Sequence, residues 1–233
     1  MDNINIIKKE VSLLLDSDNS GHGMDHIYRV VNIATDIAKQ ANANIEIINA
    51  IALLHDADDY KIFGLENQKN LTNTKAILKK TNFSNDEKDN IISSVKTIGY
   101  SKRLEGITPQ TLEAKIVSDA DMIDAMGAIG ILRSYHYNIT HNNSFFDKDI
   151  FPVLNMDAKT YKNKEKGTVV THLFEKIMKL KDYMLTEAGK KEALKRYNFI
   201  VSFLKEYFEE ENALEWIDYL EKYIKGELKW KKY

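Results

Sequence analysis

Helix-breaking residues are scarce in this chain, and this scarcity constrains the fold more than any other feature of the sequence. Two prolines and ten glycines are spread over 233 residues. Because proline and glycine are the residues that most often end helices and form turns, so few of them favour long helices joined by short connections. Apolar residues recur at helical spacing along most of the chain, and no alternating run of convincing length indicates a strand. The sequence therefore predicts an all-α fold.

The helical period also predicts where the helices lie. Ser84, with Glu87 three residues later, is typical of a capping box, and Thr108-Pro109 is a start signal for the helix that follows. The stretch 142–167 is polar and irregular, which is compatible with an ordered loop beside a pocket or with a mobile lid. The predicted helices are 3–16, 25–41, 45–55, 68–81, 85–98, 111–126, 127–141, 169–185, 187–211 and 213–231.

Charge and composition limit the classes of partner. The chain has 33 basic and 35 acidic residues and a net charge of -2. This balance argues against a nucleic-acid polymer or a membrane surface as the main partner, whereas one local positive pocket is enough for a small anionic substrate. Cysteine is absent, which excludes disulfides, thiolate metal sites and thiol nucleophiles. The start of the sequence shows no secretory signal and the most apolar stretch, 47–54, is too short to span a bilayer, so we expect a cytoplasmic protein.

Three predicted helices carry polar residues at the ends of their apolar faces. His26 lies four residues before Val30 and continues that buried stripe, and His55 lies four residues after Ile51 on the next helix. Asp56 follows His55 directly. A lone histidine on an apolar face is more often a core residue than a metal ligand, but an adjacent histidine and aspartate that both need buried partners favour a metal site.

Carboxylates reinforce this interpretation on a later helix. Asp121 and Asp124 share a face with Val117, and a buried carboxylate needs an ion pair, a hydrogen bond or a metal. A lone Asp121 is more often a helix cap or a salt-bridge partner. Taken together, two imidazoles and two carboxylates form a mixed nitrogen and oxygen set, which suits Mn, Fe, Co, Ni or Zn better than Mg.

These motifs resemble those of a known family. His26-x-x-Arg29-Val30, the LLHD run at 53–56 and the DADMID run at 119–124 are similar to the HD superfamily of metal-dependent phosphohydrolases. The segments 114–133 and 171–193 resemble the small bacterial and archaeal HD hydrolases of the YedJ-like group. The resemblance implies one hydrolase domain over 1–233, with an HD core at about 20–130 and a C-terminal helical extension at about 168–233.

The resemblance also implies a ligand set for one divalent metal ion. Its members are His26, His55, Asp56 and Asp121, the last because it falls in an Ala-Asp-x-Ile segment. The neighbouring acids Asp119 and Asp124 are candidates for orienting a ligand imidazole. No histidine lies between Asp56 and Asp121, whereas HD phosphodiesterases that bind two or three metals take extra histidines from that interval. We therefore expect a single metal and no cyclic-nucleotide hydrolysis.

The expected activity is hydrolysis of a small phosphate ester or anhydride by metal-activated water. A nucleotide is the expected substrate, cleaved either to phosphate or to pyrophosphate, and a homodimer is left open. The alternative is a non-catalytic, regulatory HD protein that binds nucleotide or metal, against which the intact ligand set counts. We expect catalytic roles for Asp59 and Arg29, and substrate binding by Arg29, Lys61 and His22.

Each of these residues also has a structural interpretation. Arg29 is suited to a phosphate, but a salt bridge to Asp56 or Asp59 is an equal alternative. Asp58 competes with Asp59 as the acid or base, and both are compatible with solvated turn positions. His22 is compatible with a plain loop residue.

Overall fold

The computed structural model describes residues 2–15, 23–155 and 167–228. Within these ranges the chain forms thirteen α-helices and one 3-10 helix, and it contains no strand, which confirms the all-α prediction. No helix in these ranges is both long enough and apolar enough to cross a membrane. The helices are α1 Asn3–Leu15, α2 Met24–Ala38, α3 Ile45–Leu54, α4 Tyr60–Phe63, α5 Leu65–Asn70, α6 Thr72–Leu78, α7 Asn85–Val95, α8 Tyr100–Leu104, α9 Leu112–Asp124, α10 Gly127–Thr140, α11 Val169–Glu175, the 3-10 helix Ile177–Tyr183, α12 Glu187–Glu210 and α13 Leu214–Ile224.

The chain divides into two compact units. The first comprises the described parts of Met1–Arg103 together with Ile107–Asp124. Its centre is α3, which is apolar on nearly every side and packs against α1, α2, α7 and α9. Helix α2 packs against both α3 and α9. A helix that is apolar all round belongs in a core. Packing of α2 and α9 on α3 brings the ends of these three helices together.

The second unit comprises Leu104–Gly106 and the described parts of Ala125–Tyr233. Helix α12 packs against α10, α13 and the 3-10 helix, and α10 also packs against α11. The irregular segment 142–155 is ordered here, since Phe146 and Phe151 pack against the buried Trp216 with ring centroids 5.1 Å and 4.6 Å apart. The rest of the predicted loop, at 156–166, lies outside the described residues.

Several helix boundaries differ from the sequence prediction. The predicted helix 68–81 is two helices, because Leu71 adopts a left-handed conformation with φ 50° and ψ 53°. The predicted helix 169–185 ends at Glu175, where Lys176 leaves helical geometry, and continues as a 3-10 helix. Helix α13 ends at Ile224, beside Gly226 with φ 72°. The short helices α4 and α8 have no predicted counterpart.

The two predicted start signals had different outcomes. The Ser84–Glu87 capping box is present at the start of α7, with both reciprocal hydrogen bonds formed. Helix α9 begins at Leu112 rather than beside Pro109, and the hydroxyl of Thr111 accepts the Ala114 N–H at its first turn. The start signal is therefore Thr111, because its side chain supplies the acceptor that the first turn needs.

Candidate metal centre

Three helices of the first unit deliver the four predicted metal ligands to one place. His26 lies in the first turn of α2, and His55 is the C-terminal cap of α3, directly before Asp56. Asp121 lies in the last turn of α9. Because α2 packs against both α3 and α9, its N-terminal turn brings His26 to the end of α3 and to the last turn of α9.

The donor atoms of these residues converge. The Nε2 atoms of His26 and His55 are 3.2 Å apart. The Asp56 Oδ2 atom lies 3.6 Å from the first Nε2 and 3.5 Å from the second. The Asp121 Oδ1 atom lies 3.6 Å and 3.8 Å from the same two nitrogens. Both imidazoles are buried and both carboxylates are partly exposed, so the cluster has a dry side and a side open to solvent.

Both imidazoles turn Nε2 toward the cluster because their Nδ1 atoms are held elsewhere. His26 Nδ1 lies 2.7 Å from Oδ2 of Asp124. His55 Nδ1 lies 2.8 Å from the main-chain carbonyl of Ala52, one turn earlier in the chain. A carbonyl and a carboxylate accept hydrogen bonds, so these contacts place a ring proton on Nδ1 in both residues, and the neutral form of each ring offers its Nε2 lone pair to the cluster.

The donor set fits a divalent metal ion. With both imidazoles neutral, two ring nitrogens and two carboxylate oxygens direct lone pairs toward the same place, and a cation there would stabilise them. Metal-bound histidines commonly donate their other ring N–H to a carboxylate or a main-chain carbonyl, and one example of each is present here. The mixed nitrogen and oxygen chemistry again suits Mn, Fe, Co, Ni or Zn better than Mg.

Asp124 contacts the imidazole of His26. The sequence suggested such a contact for Asp124 or Asp119. Asp124 is fully buried at the end of α9, and its carboxylate contacts His26 Nδ1. Asp119 is also fully buried on α9, and a similar role for Asp119 stays a prediction.

Arg29 also binds the Asp124 carboxylate that contacts His26. Its Nε donates to Oδ1 of Asp124 at 2.7 Å and its Nη2 donates to Oδ2 at 3.1 Å. The sequence offered Asp56 or Asp59 as salt-bridge partners for Arg29, and the observed partner lies 95 positions away in the chain instead. The Arg29 side chain is 33% exposed, so part of its guanidinium faces solvent.

The acidic residues after Asp56 have separate structural roles. The Asp58 carboxylate is buried and accepts the backbone N–H groups of Asn73 and Thr74 at 2.8 Å and 2.9 Å. Both carboxylate oxygens of Asp58 therefore bind the backbone of α6. Asp59 is partly exposed and caps α4 by accepting the Lys61 N–H at 2.8 Å. Lys61 is exposed.

The remaining histidines lie apart from this cluster or outside the described residues. His22 falls in the undescribed range 16–22. His136 and His141 are exposed on or just after α10, and His141 stacks on Tyr137 with ring centroids 4.1 Å apart. His172 is half-buried on α11 in the second unit. The only group of three potential ligands found among the described residues is His26, His55 and Asp56.

Comparison with known proteins identifies the family. A family model described as the HD domain matches residues 23–126, which contain the whole cluster. A crystal structure of an HD-superfamily hydrolase from Bacillus thuringiensis is 29% identical, with a TM-score of 0.70 over 90% of this chain and 97% of that one. This chain belongs to the HD superfamily of metal-dependent phosphohydrolases.

Two further relatives extend the comparison. A crystal structure of a protein from Lactobacillus plantarum is 31% identical, with a TM-score of 0.76 over 91% of this chain and 97% of that one. The uncharacterized protein YpgQ of Bacillus subtilis is 26% identical over 203 residues, covering 86% of this chain and 89% of YpgQ. A crystal structure of YpgQ in complex with ADP has a TM-score of 0.65 at 23% identity, over 89% of this chain and 94% of that one.

Proposed function

We propose that this HD phosphohydrolase uses one divalent metal ion, held by His26, His55, Asp56 and Asp121, to hydrolyse a phosphate ester or anhydride of a nucleotide. The observation that carries the proposal is the convergence of four donor atoms from three helices, with both Nδ1 atoms hydrogen-bonded outside the cluster. The single ion rests on the sequence, in which no histidine lies between Asp56 and Asp121 to bind a second one.

The reaction divides between the metal and the chain's own residues. When bound, a divalent ion lowers the pKa of a coordinated water and polarises a phosphoryl oxygen. Water attacks phosphorus and gives up one proton, the bond from phosphorus to the leaving oxygen breaks, and that oxygen takes up one proton. Asp59 is three residues after Asp56 and partly exposed, so we assign it the proton transfer.

Basic residues stabilise the phosphate in this proposal. Arg29 uses Nε and one Nη2 proton on Asp124, and the remaining N–H groups of its partly exposed guanidinium are available to a phosphate oxygen. Lys61 adds a positive charge two residues after Asp59. Phosphoryl transfer depends mainly on positioning and charge neutralisation, which these residues supply.

A nucleotide substrate is supported by the relative that binds ADP. YpgQ aligns with most of this chain, and its crystal structure contains that nucleotide. Whether hydrolysis releases phosphate or pyrophosphate depends on where the chain of phosphates lies relative to the metal, and the two products are easily distinguished.

The test is metal-restored turnover. Metal-stripped protein is supplied with Mn, Co, Ni, Zn or Mg and assayed on nucleoside mono-, di- and triphosphates and on simple phosphate esters, with separate detection of phosphate and pyrophosphate. We expect turnover on a nucleotide with a transition metal and little with Mg. If no metal restores turnover on any nucleotide, the proposed substrate is wrong.

Ligand variants test the site itself. His55→Ala and Asp56→Ala should lose metal and activity together, whereas His136→Ala, which changes an exposed histidine on α10, should keep both. If His55→Ala and Asp56→Ala retain the metal content of the wild type, the ligand assignment is refuted.

A further inference from the structure

The turn that carries Asp56 is tied by side chains to a helix that contributes no metal ligand. Three hydrogen bonds join residues 57–58 to the first turn of α6. Asp58 accepts the N–H groups of Asn73 at 2.8 Å and of Thr74 at 2.9 Å. In return, the Asn73 side-chain amide donates to the Ala57 carbonyl at 2.8 Å.

Asp58 replaces the cap that α6 lacks. The N-cap position of α6 is Leu71, whose apolar side chain accepts no hydrogen bond. The N–H groups that Asp58 accepts belong to the second and third residues of the helix, which are the groups that an N-cap side chain normally satisfies. The cap therefore comes from a residue two positions after a proposed metal ligand, not from the helix's own sequence.

The backbone at Leu71 is strained in a way that a local cap would not require. Leu71 is 4% exposed and adopts φ 50°, a left-handed conformation that is unfavourable for any residue with a Cβ. A serine or asparagine at position 71 in extended geometry would cap α6 without this strain. Strained backbone persists where the surrounding structure fixes it, and such positions concentrate at functional sites.

Backbone hydrogen bonds also stabilise the turn 55–59 itself. The Ala57 N–H donates to the Leu54 carbonyl at 3.0 Å and the Asp59 N–H donates to the Asp56 carbonyl at 3.1 Å. The Asn73 amide in turn binds the Ala57 carbonyl. Hydrogen bonds therefore fix both the peptide group between residues 56 and 57 and the one between residues 57 and 58. Asp56 and Asp59 flank the tied pair directly, so a shift of this pair moves both of them.

We propose that Asp58 and Asn73 are positioning residues that hold the turn 55–59 in its metal-binding geometry, with α6 as the anchor. This inference rests on the proposed metal site. Neither side chain takes part in the metal cluster, so they act through Asp56, whose carboxylate direction depends on the backbone that they fix.

The experiment compares metal affinity at matched losses of stability. Asn73→Ala removes the bond to the Ala57 carbonyl and keeps both backbone bonds to Asp58. Asp58→Asn keeps the side-chain shape but can accept only one of the two N–H groups. The control is Ser84→Ala, which removes a helix cap of the same kind from α7, on an exposed residue. Metal affinity is measured by competition with a chromogenic chelator, and stability by urea unfolding of the metal-free proteins.

We expect Asn73→Ala and Asp58→Asn to weaken Mn or Co binding about tenfold, the lower end of the range for residues behind a ligand shell. Ser84→Ala should lose stability and keep the wild-type affinity. If both variants bind metal as tightly as Ser84→Ala, the inference is overturned while the metal site stands. If the wild-type protein itself binds no metal, the proposed function fails and the inference falls with it. Should Asp58→Asn fail to fold, Asn73→Ala decides alone.

Discussion

Replacing Asp124 with asparagine tests how far His26 depends on the residues behind it. Asp124 is fully buried and accepts three hydrogen bonds, one from His26 Nδ1 and two from Arg29. Asparagine has the same shape but only one acceptor atom. Its amide oxygen can occupy the Oδ2 position and keep the His26 and Nη2 contacts, but its NH₂ group then faces the Nε donor of Arg29.

The expected cost follows from these contacts. Losing the Nε bond removes about 2 kcal/mol, and the two remaining bonds, now to a neutral acceptor, weaken by about 1 kcal/mol each. Since Arg29 is 33% exposed, water replaces part of what is lost, so we expect a net loss of about 2–3 kcal/mol. For a chain of this length the corresponding drop in melting temperature is about 5–10 °C.

Metal affinity should fall as well, because the His26 ring is no longer held by a charged acceptor. Partners behind a ligand histidine typically contribute about 10–100-fold to affinity. The assay combines urea unfolding of metal-free Asp124→Asn with chelator competition for Mn or Co. Glu175→Gln is the matched control, since Glu175 is a buried carboxylate of the second unit that accepts the Val153 N–H. It should lose stability and leave metal affinity unchanged.

One result would refute this reasoning. If Asp124→Asn binds metal as tightly as the wild type and unfolds at the same urea concentration, the contacts of Asp124 with His26 and Arg29 contribute nothing to the site. A loss of stability with no loss of affinity would show that Asp124 serves folding and not the orientation of His26.

Further variants separate the remaining roles. Asp59→Asn should lower kcat about 10²–10⁴-fold with unchanged metal content, because asparagine caps α4 as well as aspartate does and only proton transfer is lost; an unchanged kcat would remove Asp59 from the mechanism. Lys61→Ala should raise KM with little change in kcat, and steady-state kinetics would contradict us if kcat alone fell. Burial lowers the pKa of Lys179 from 10.5 to about 8, against the opposing effect of Glu175. Between about pH 8 and pH 10.5 the unfolded lysine holds a proton that the folded one has released, so stability should rise with pH across that interval, by at most about 1.4 kcal/mol per pH unit. Urea unfolding would show no such rise in Lys179→Met, and an equal rise in that variant would assign the effect to another group.

Local pattern predicted the helices and the burial of the two histidines proposed as ligands. His26 and His55 continue apolar stripes, so their burial follows from helical spacing alone. The Ser84–Glu87 capping box is likewise a local feature and is present. Asp121 required the resemblance to a family, because Asp121 and Asp124 lie on the same helix face and spacing alone does not choose between them.

Contacts between residues distant in sequence set the features that the sequence did not predict. Nothing near Leu71 indicates a helix break, since leucine favours helix and the acceptor for the following N–H groups is Asp58, 13 positions earlier. The partner of Arg29 lies 95 positions away, beyond any helical periodicity. The different roles of Asp58 and Asp59 depend on which carboxylate faces α6, and this is decided by packing.

The two histidines proposed as ligands differ in which mutations can disturb their orientation. His26 is oriented by the side chain of Asp124, so a single nucleotide change at that codon is enough to disturb it. His55 is oriented by the main-chain carbonyl of Ala52, which every residue except one that distorts the helix would still present. Random mutagenesis should therefore find side-chain substitutions that disturb the orientation of the His26 ring and few that disturb the orientation of the His55 ring.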